Sequence, residues 1–173
     1  MNHDRYDDSY IREILSTTRV IAMVGASANV ARPSFFVLKY LSERGYVVHP
    51  INPGLAGGKI HGREVFARLS DVPEPIDMVE IFRNSDAAGG VVDEALKLSP
   101  PPKVIWMQLG VRNDAAAARA EALGVKVVMN RCPKIEFGRL SGEIAWAGVN
   151  SRVISARKPT AGAGFQRLAL GKP

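Results

Sequence analysis

The sequence predicts an α/β protein: a Rossmann-like, doubly wound parallel sheet of five strands in a single domain, with a short N-terminal helix and a basic C-terminal tail. Three observations predict it. Short apolar runs alternate with segments of helical period five times along the chain. The apolar runs are near-continuous rather than alternating, as strands covered on both faces are. The chain has 173 residues, 46% of them hydrophobic and 23% charged, enough for one domain with a real core.

Taken in order, residues 5–17 (RYDDSYIREILST) read as an amphipathic helix with Tyr10, Ile11, Ile14 and Leu15 on one face. Val20–Val24 reads as the first buried strand. Pro33 suits the first turn of a helix that carries Phe36, Val37, Tyr40 and Leu41 at helical spacing, and Gly45 ends it. Tyr46–Ile51 is the second strand. The crossover 52–75 is punctuated by glycine and proline, with a short helix expected around Val65–Leu69. Asp77–Phe82 is the third strand. Ser85 is placed to cap a helix over Ala87–Leu98, weakened by Gly89-Gly90 and stopped by the prolines at 100–102. Val104–Gln108 is the fourth strand, Asn113 caps an alanine-rich helix to Leu123, and Val125–Met129 is the fifth. The expected strand order is 3-2-1-4-5. A late strand is expected near Val153–Ser155, and Trp146 and Val149 are candidates for packing on a second subunit of a homodimer.

Net charge is +6, unevenly placed. Residues 141–173 hold five bases and one acid, whereas residues 1–140 hold 18 bases and 16 acids. The body is near balance, which does not favour a nucleic-acid surface. No apolar run approaches the ~20 residues of a membrane helix. The polar start MNHDRYDDSY is unlike a secretory signal. The lone cysteine, Cys132, leaves no internal disulfide and fits a reducing cytoplasm.

In open α/β sheets ligands bind beyond the carboxyl ends of the strands. Those positions are Gly25-Ala26-Ser27, Asn52-Pro53, Phe82-Arg83, Gln108-Leu109-Gly110 and Asn130-Arg131-Cys132. The first belongs to VGASANVARPS, residues 24–34, which has the setting of a phosphate loop. A dinucleotide fingerprint would need glycine at Gly25, Ser27 and Val30, and an acid near the end of the second strand. Only Gly25 matches, and His49-Pro50-Ile51-Asn52 offers no acid, so NAD(P) chemistry is disfavoured. Phosphate binding survives. Gly25 turns tightly, Ala26 and Ser27 permit close approach, and Arg32 stands at a helix start where amides and dipole already favour an anion, with Ser34 one step inside. A plain strand-to-helix turn with Arg32 on the surface is the other reading of the same residues.

The chain resembles the stand-alone CoA-binding proteins, whose fold is shared with the CoA-binding domain of succinyl-CoA synthetase alpha subunits. The resemblance rests on VGAS, the RPS helix start, GYVVHPINP, IFRNS, VIWMQLGV and VMNRCPKIEF, in order from about residue 20 to 138. It implies that coenzyme A lies across the strand ends. Gly25, Ala26 and Ser27 would wrap the pyrophosphate, assisted by Arg32 and Ser34 of the Arg32-Pro33-Ser34 helix start. Asn52 and Pro53 would edge the adenosine side, with Lys59 as a candidate for the 3′-phosphate. Phe82 and Arg83 would flank the adenine or the pantetheine arm. Gln108, Leu109 and Gly110 would line the arm's path, and Asn130, Arg131 and Cys132 would complete the site.

The resemblance implies no reaction. His3 in the tail, His49 in a strand and His61 in a loop form no triad pattern, and no metal-ligand spacing is present. Cys132 reads first as a small structural residue in a turn; the other reading is that its neighbours Arg131 and Lys134 lower its pKa, which would suit a mixed disulfide with the CoA thiol. The reading is therefore a cytoplasmic protein that binds CoA or an acyl-CoA without catalysis of its own, with no membrane or nucleic-acid partner. The alternatives are a non-catalytic subunit of an acyl-CoA ligase-like enzyme and, less favoured, an NAD(P)-dependent oxidoreductase. The expected organisation is a helix over 1–17, a CoA-binding domain over 18–140 and an extension over 141–173.

Overall fold

The computed structural model describes residues 1–142. Helix α1 (Asp8–Thr17) leads into β1 (Val20–Val24), followed by α2 (Pro33–Glu43) and β2 (Val47–Ile51). The crossover holds a small antiparallel pair, β3 (Lys59–Ile60) and β4 (Arg63–Glu64). Then come β5 (Met78–Ile81), α3 (Ser85–Ala95), β6 (Val104–Met107), α4 (Asp114–Ala122), β7 (Lys126–Val128) and α5 (Pro133–Ser141). The main sheet has five strands, all parallel, in the order β2-β1-β5-β6-β7.

That order corrects the expected 3-2-1-4-5. The third strand of the sheet, β5, pairs with β1 (Ile21 with Met78, Val24 with Ile81) and leaves β2 at the edge. Pro50 gives the reason. A proline has no N–H for a ladder and is confined to edge strands. The outward carbonyl of Pro50 accepts from Phe66 N (2.9 Å), and Phe66 O accepts from Asn52 N (2.9 Å). A single turn of crossover chain thus finishes the edge, where a helix over Val65–Leu69 was expected. Only a short 3₁₀ turn, Leu69–Asp71, follows.

On one face of the sheet Val79, Ile81, Ile105, Met107 and Val127 pack with Ala88, Val92 and Ala95 of α3 and Ala116, Ala117 and Ala120 of α4. Small helix residues let these elements lie close. Gly89 illustrates it, since a Cβ there would stand 3.3 Å from Asn113 Nδ2, which donates to Ser85 O (3.0 Å). Asn113 caps α4 as expected, accepting from Ala116 N (2.9 Å). Helix α3 is capped by Asn84 rather than Ser85: Asn84 Oδ1 accepts from Ala87 N (2.8 Å). The opposite face carries the alternate residues Ile21, Met23, Met78, Glu80 and Trp106, all fully buried.

The N-terminal segment is anchored rather than a free tail. Tyr6 Oη accepts from Met129 N (2.7 Å), and Tyr10 Oη donates to Val127 O (3.3 Å), so two hydroxyls occupy outward backbone groups beside β7. His3 is buried, with Nδ1 2.9 Å from Tyr6 Oη. Among the described residues no helix is long and apolar enough to cross a membrane. The expected strand near Val153–Ser155 and the expected contact through Trp146 and Val149 lie outside the described residues.

Candidate functional site

The strand order moves the topological switch point to the gap between β1 and β5, where a ligand crevice is expected in this topology. The loops beyond those two strands touch. Gly25 adopts φ +86°, and a Cβ on it would lie 2.6 Å from Phe82 O and 3.1 Å from Arg83 Cδ. Glycine is required here twice over, by conformation and by space.

The loop after β1 is held from β2. Gly25 N donates to Ile51 O (3.0 Å), and Asn52 Nδ2 donates to Ala26 O (2.7 Å) while Asn52 Oδ1 accepts from Gly54 N (3.0 Å). Within the loop, Asn29 N donates to Ser27 Oγ (3.1 Å) and Ala31 N to Asn29 Oδ1 (2.8 Å). Arg32 is the N-cap of α2, with Pro33 as the first helical residue. Arg32 and Pro33 are exposed, and Ser34 is buried. Pro53 and Lys59 are exposed beyond Asn52. Arg83 is exposed beside Phe82, and among the described residues neither Arg32 nor Arg83 has an ion-pair partner.

A cavity of about 530 Å³ opens between the start of α2, the ends of β5 and β6 and the start of α5. Phe36, Val37, Phe82, Leu109, Val111 and Ile135 form apolar walls. Gln108 and Cys132, both 6% exposed, are its most deeply buried polar lining, and Arg83 and Lys134 add cations. Gly110 (φ +77°) and Asn130 (φ +53°) shape the loops beside it, joined by Gly110 N donating to Asn130 Oδ1 (2.8 Å). The Arg131 side chain is already engaged: it donates to Asn130 O (2.8 Å) and Asp4 O (3.2 Å) and lies over the Tyr6 ring. It braces the turn rather than facing outward unpaired.

Cys132 is not activated by its cationic neighbours, which goes against the alternative of a reactive thiol. Burial pushes its pKa above the ordinary thiol value, and the N–H groups of Ile135 and Lys134 only partly offset this; the nearby Glu80 pushes the same way as burial. The cations named by the sequence do not outweigh desolvation.

Glu80 is the group sequence reading overlooked. It is fully buried, its Oε1 accepts from Gln108 Nε2 (3.2 Å), and Oε2 has no partner. Burial raises its pKa to about 8, with the Gln108 bond pulling weakly the other way, so it is protonated at neutral pH. The signal was present: a single acid inside the apolar run DMVEIF. The histidines lie elsewhere. His49 Nε2 is 2.9 Å from Glu74 Oε1 with its ring against Phe66, and the His61 ring lies tilted against Phe35, with ring centroids 4.0 Å apart.

Comparison with known proteins now identifies the frame. A curated relative, the uncharacterized protein YneT of Bacillus subtilis (strain 168), is 34% identical over 125 residues, 72% of this chain and 90% of that protein. A solved hypothetical protein from Pyrococcus horikoshii OT3 superposes with a TM-score of 0.75 at 35% identity, covering 82% of this chain and 97% of that one. The apo form of dinucleotide forming acetyl-coenzyme A synthetase 1 from Ca. Korarchaeum cryptofilum superposes with a TM-score of 0.54 at 27% identity, over 64% of this chain and 26% of the synthetase. The family described as CoA binding domain matches residues 19–138, and with these residues spanning β1 to the start of α5, the chain belongs to that family.

Proposed function

We propose that this protein binds coenzyme A, free or acylated, at the carboxyl ends of its parallel strands and carries out no reaction of its own. The observation that carries the reading is the crevice at the β1–β5 switch point. A glycine-turned loop, pinned from Asn52, stands between two arginines that no carboxylate neutralises among the described residues. An anionic ligand fits that arrangement. Family membership names the anion.

Gly25, Ala26 and Ser27 take the pyrophosphate, with Arg32 as the charged partner. Ser34 is buried, so it contributes through its place in the first turn of α2. Asn52 and Pro53 border the adenosine, where the absence of an acid spares the 3′-phosphate from repulsion. Phe82, Arg83, Gln108, Leu109 and Gly110 border the pantetheine arm, and Asn130 and Cys132 close the far side with Arg131 bracing behind. The superposition on part of an acetyl-coenzyme A synthetase favours one second reading, a CoA-holding subunit whose reaction lies on a partner chain. Co-purification of a ligase-like chain with the tagged protein would support it.

A thermal-shift panel of CoA, acetyl-CoA, NAD, NADP and ATP tests the main reading. At ~100 times its Kd, CoA should add about 2.7 kcal/mol, a Tm rise of roughly 5–10 °C for a domain of this size. A rise with NAD and none with CoA overturns it. Arg32→Ala should weaken CoA by about 1.5–3 kcal/mol, the worth of a charged hydrogen bond.

A further inference from the structure

The cavity shares Phe82, Arg83, Gln108 and Leu109 with the path assigned to the pantetheine arm, and its wall continues over Phe36, Val37, Val111 and Ile135, more apolar surface than a polar diamide arm requires. Three of the eight large apolar side chains exposed among the described residues line it: Phe36 at 52%, Leu109 at 53% and Ile135 at 43%. Solvent-facing apolar side chains converging on one cavity mark a binding surface rather than scattered exposure. Val37, Phe82 and Val111 continue the apolar wall inward.

The two deeply buried polar groups of the lining, Gln108 and Cys132, are already used within the protein. Gln108 Nε2 donates to Glu80 (3.2 Å), its side chain also bonds the Cys132 thiol, and its Oε1 accepts from Leu109 N (2.9 Å). Cys132 receives the N–H groups of Lys134 and Ile135 at the start of α5. Burial keeps this thiol neutral, so no charge faces the cavity from below. An amide placed against the part of the wall made by Phe36, Val37, Val111 and Ile135 would lose water without gaining partners, whereas a hydrocarbon loses nothing there. The cations of the lining are Arg83 and Lys134. The combination fits a ligand that is anionic at one end and apolar at the other.

We propose that this cavity receives the hydrocarbon part of an acyl group, so that the protein's ligand is an acyl-CoA thioester with an aliphatic chain rather than free CoA. This rests on the CoA reading above, and the two are separable by titration. The full-length protein is titrated calorimetrically with CoA and with acetyl-, butyryl-, hexanoyl- and octanoyl-CoA. Affinity should rise roughly two- to four-fold per added methylene, the lower figure for a cavity open to solvent on one side. CoA binding that is unchanged or weakened along the series overturns the acyl cavity and leaves the CoA reading standing. No binding by any member removes both. Phe36→Asp and Ile135→Asp alter exposed side chains and should fold normally. Each should flatten the rise with chain length, measured against that variant's own CoA affinity. A rise that survives both substitutions overturns the assignment. So does a concentration-dependent dimer abolished by Ile135→Asp with no chain-length dependence, which would give this face to a second copy.

Discussion

The two ends of the sheet solve opposite problems. At the amino end, Asp77 gathers the chain: its Oδ2 accepts from Arg19 N (2.9 Å) and Val20 N (3.0 Å), its Oδ1 from Lys103 Nζ (2.8 Å), and its carbonyl from Lys103 N and Val104 N. Burial would raise its pKa, but Lys103 and those backbone donors outweigh it and hold the carboxyl below its ordinary value. At the carboxyl end, Arg32 and Arg83 stand unneutralised among the described residues, and apolar side chains face solvent. One end is satisfied by its own polar groups, and the other leaves groups for a ligand to satisfy. Stability and binding should therefore respond separately to substitutions at the two ends.

The largest breach of that separation is expected at Gly25. Gly25→Val forces a β-branched residue to φ +86° and sets Cβ 2.6 Å from Phe82 O. Strain and overpacking together should cost about 3 kcal/mol and abolish the CoA-induced Tm rise. A variant with wild-type Tm and CoA response would show that this loop is neither tight nor part of the site. Asp77→Ala comes next. Losing the charged bonds to Arg19 N and Val20 N should cost about 2 kcal/mol in a urea melt. The Lys103 ammonium is mostly exposed and adds little. CoA affinity measured on the folded fraction should stay within a factor of about two. A large loss of affinity would join the two ends that the structure separates.

Half-buried Asp77 and fully buried Glu80 should also give stability opposite slopes with pH. Asp77 has a lowered folded pKa, so its contribution is present above the unfolded value near 4 and is lost as pH falls below it. Glu80 has a folded pKa raised to about 8. Between its unfolded value near 4.3 and pH 8 the folded state binds more protons, so stability falls as pH rises through that window. Glu80→Gln should remove this decline, stabilising the protein by about 1 kcal/mol or more at pH 8 and hardly at all at pH 4. Parallel Tm–pH curves for variant and wild type would refute the buried proton. The smallest expected effect is at Cys132, where alkylation by iodoacetamide at pH 7.5 should run several-fold slower than for an unperturbed thiol.

Much of this was legible in the sequence because it depends on local chemistry. The apolar run Val20–Val24 became β1 without change, and Pro33, Gly45 and Asn113 fall where a helix start, a left-handed turn and a cap are needed. Strand order is not local, yet Pro50 carried the clue: a residue that cannot complete a ladder belongs at an edge. The crossover misled because Val65–Leu69 has a helical composition, while Phe66 is held by backbone bonds to β2 that no short-range pattern encodes. The sign of the Cys132 shift was out of reach for a similar reason. Neighbouring cations are visible in a sequence, whereas burial at a helix start is not.

The two tyrosines beside β7 carry a consequence for how copies of this protein meet. A bare strand edge is a template on which another chain can add itself. Here two phenolic oxygens, on Tyr6 and Tyr10, hold the places that a neighbouring strand would otherwise take. Tyr6→Phe with Tyr10→Phe removes two hydroxyls, one of them buried, and strips Met129 N and Val127 O at the sheet edge of those partners while the apolar rings stay in place. Such a variant should unfold about 1–2 kcal/mol more easily, keep its ligand response, and grow turbid on storage at high concentration.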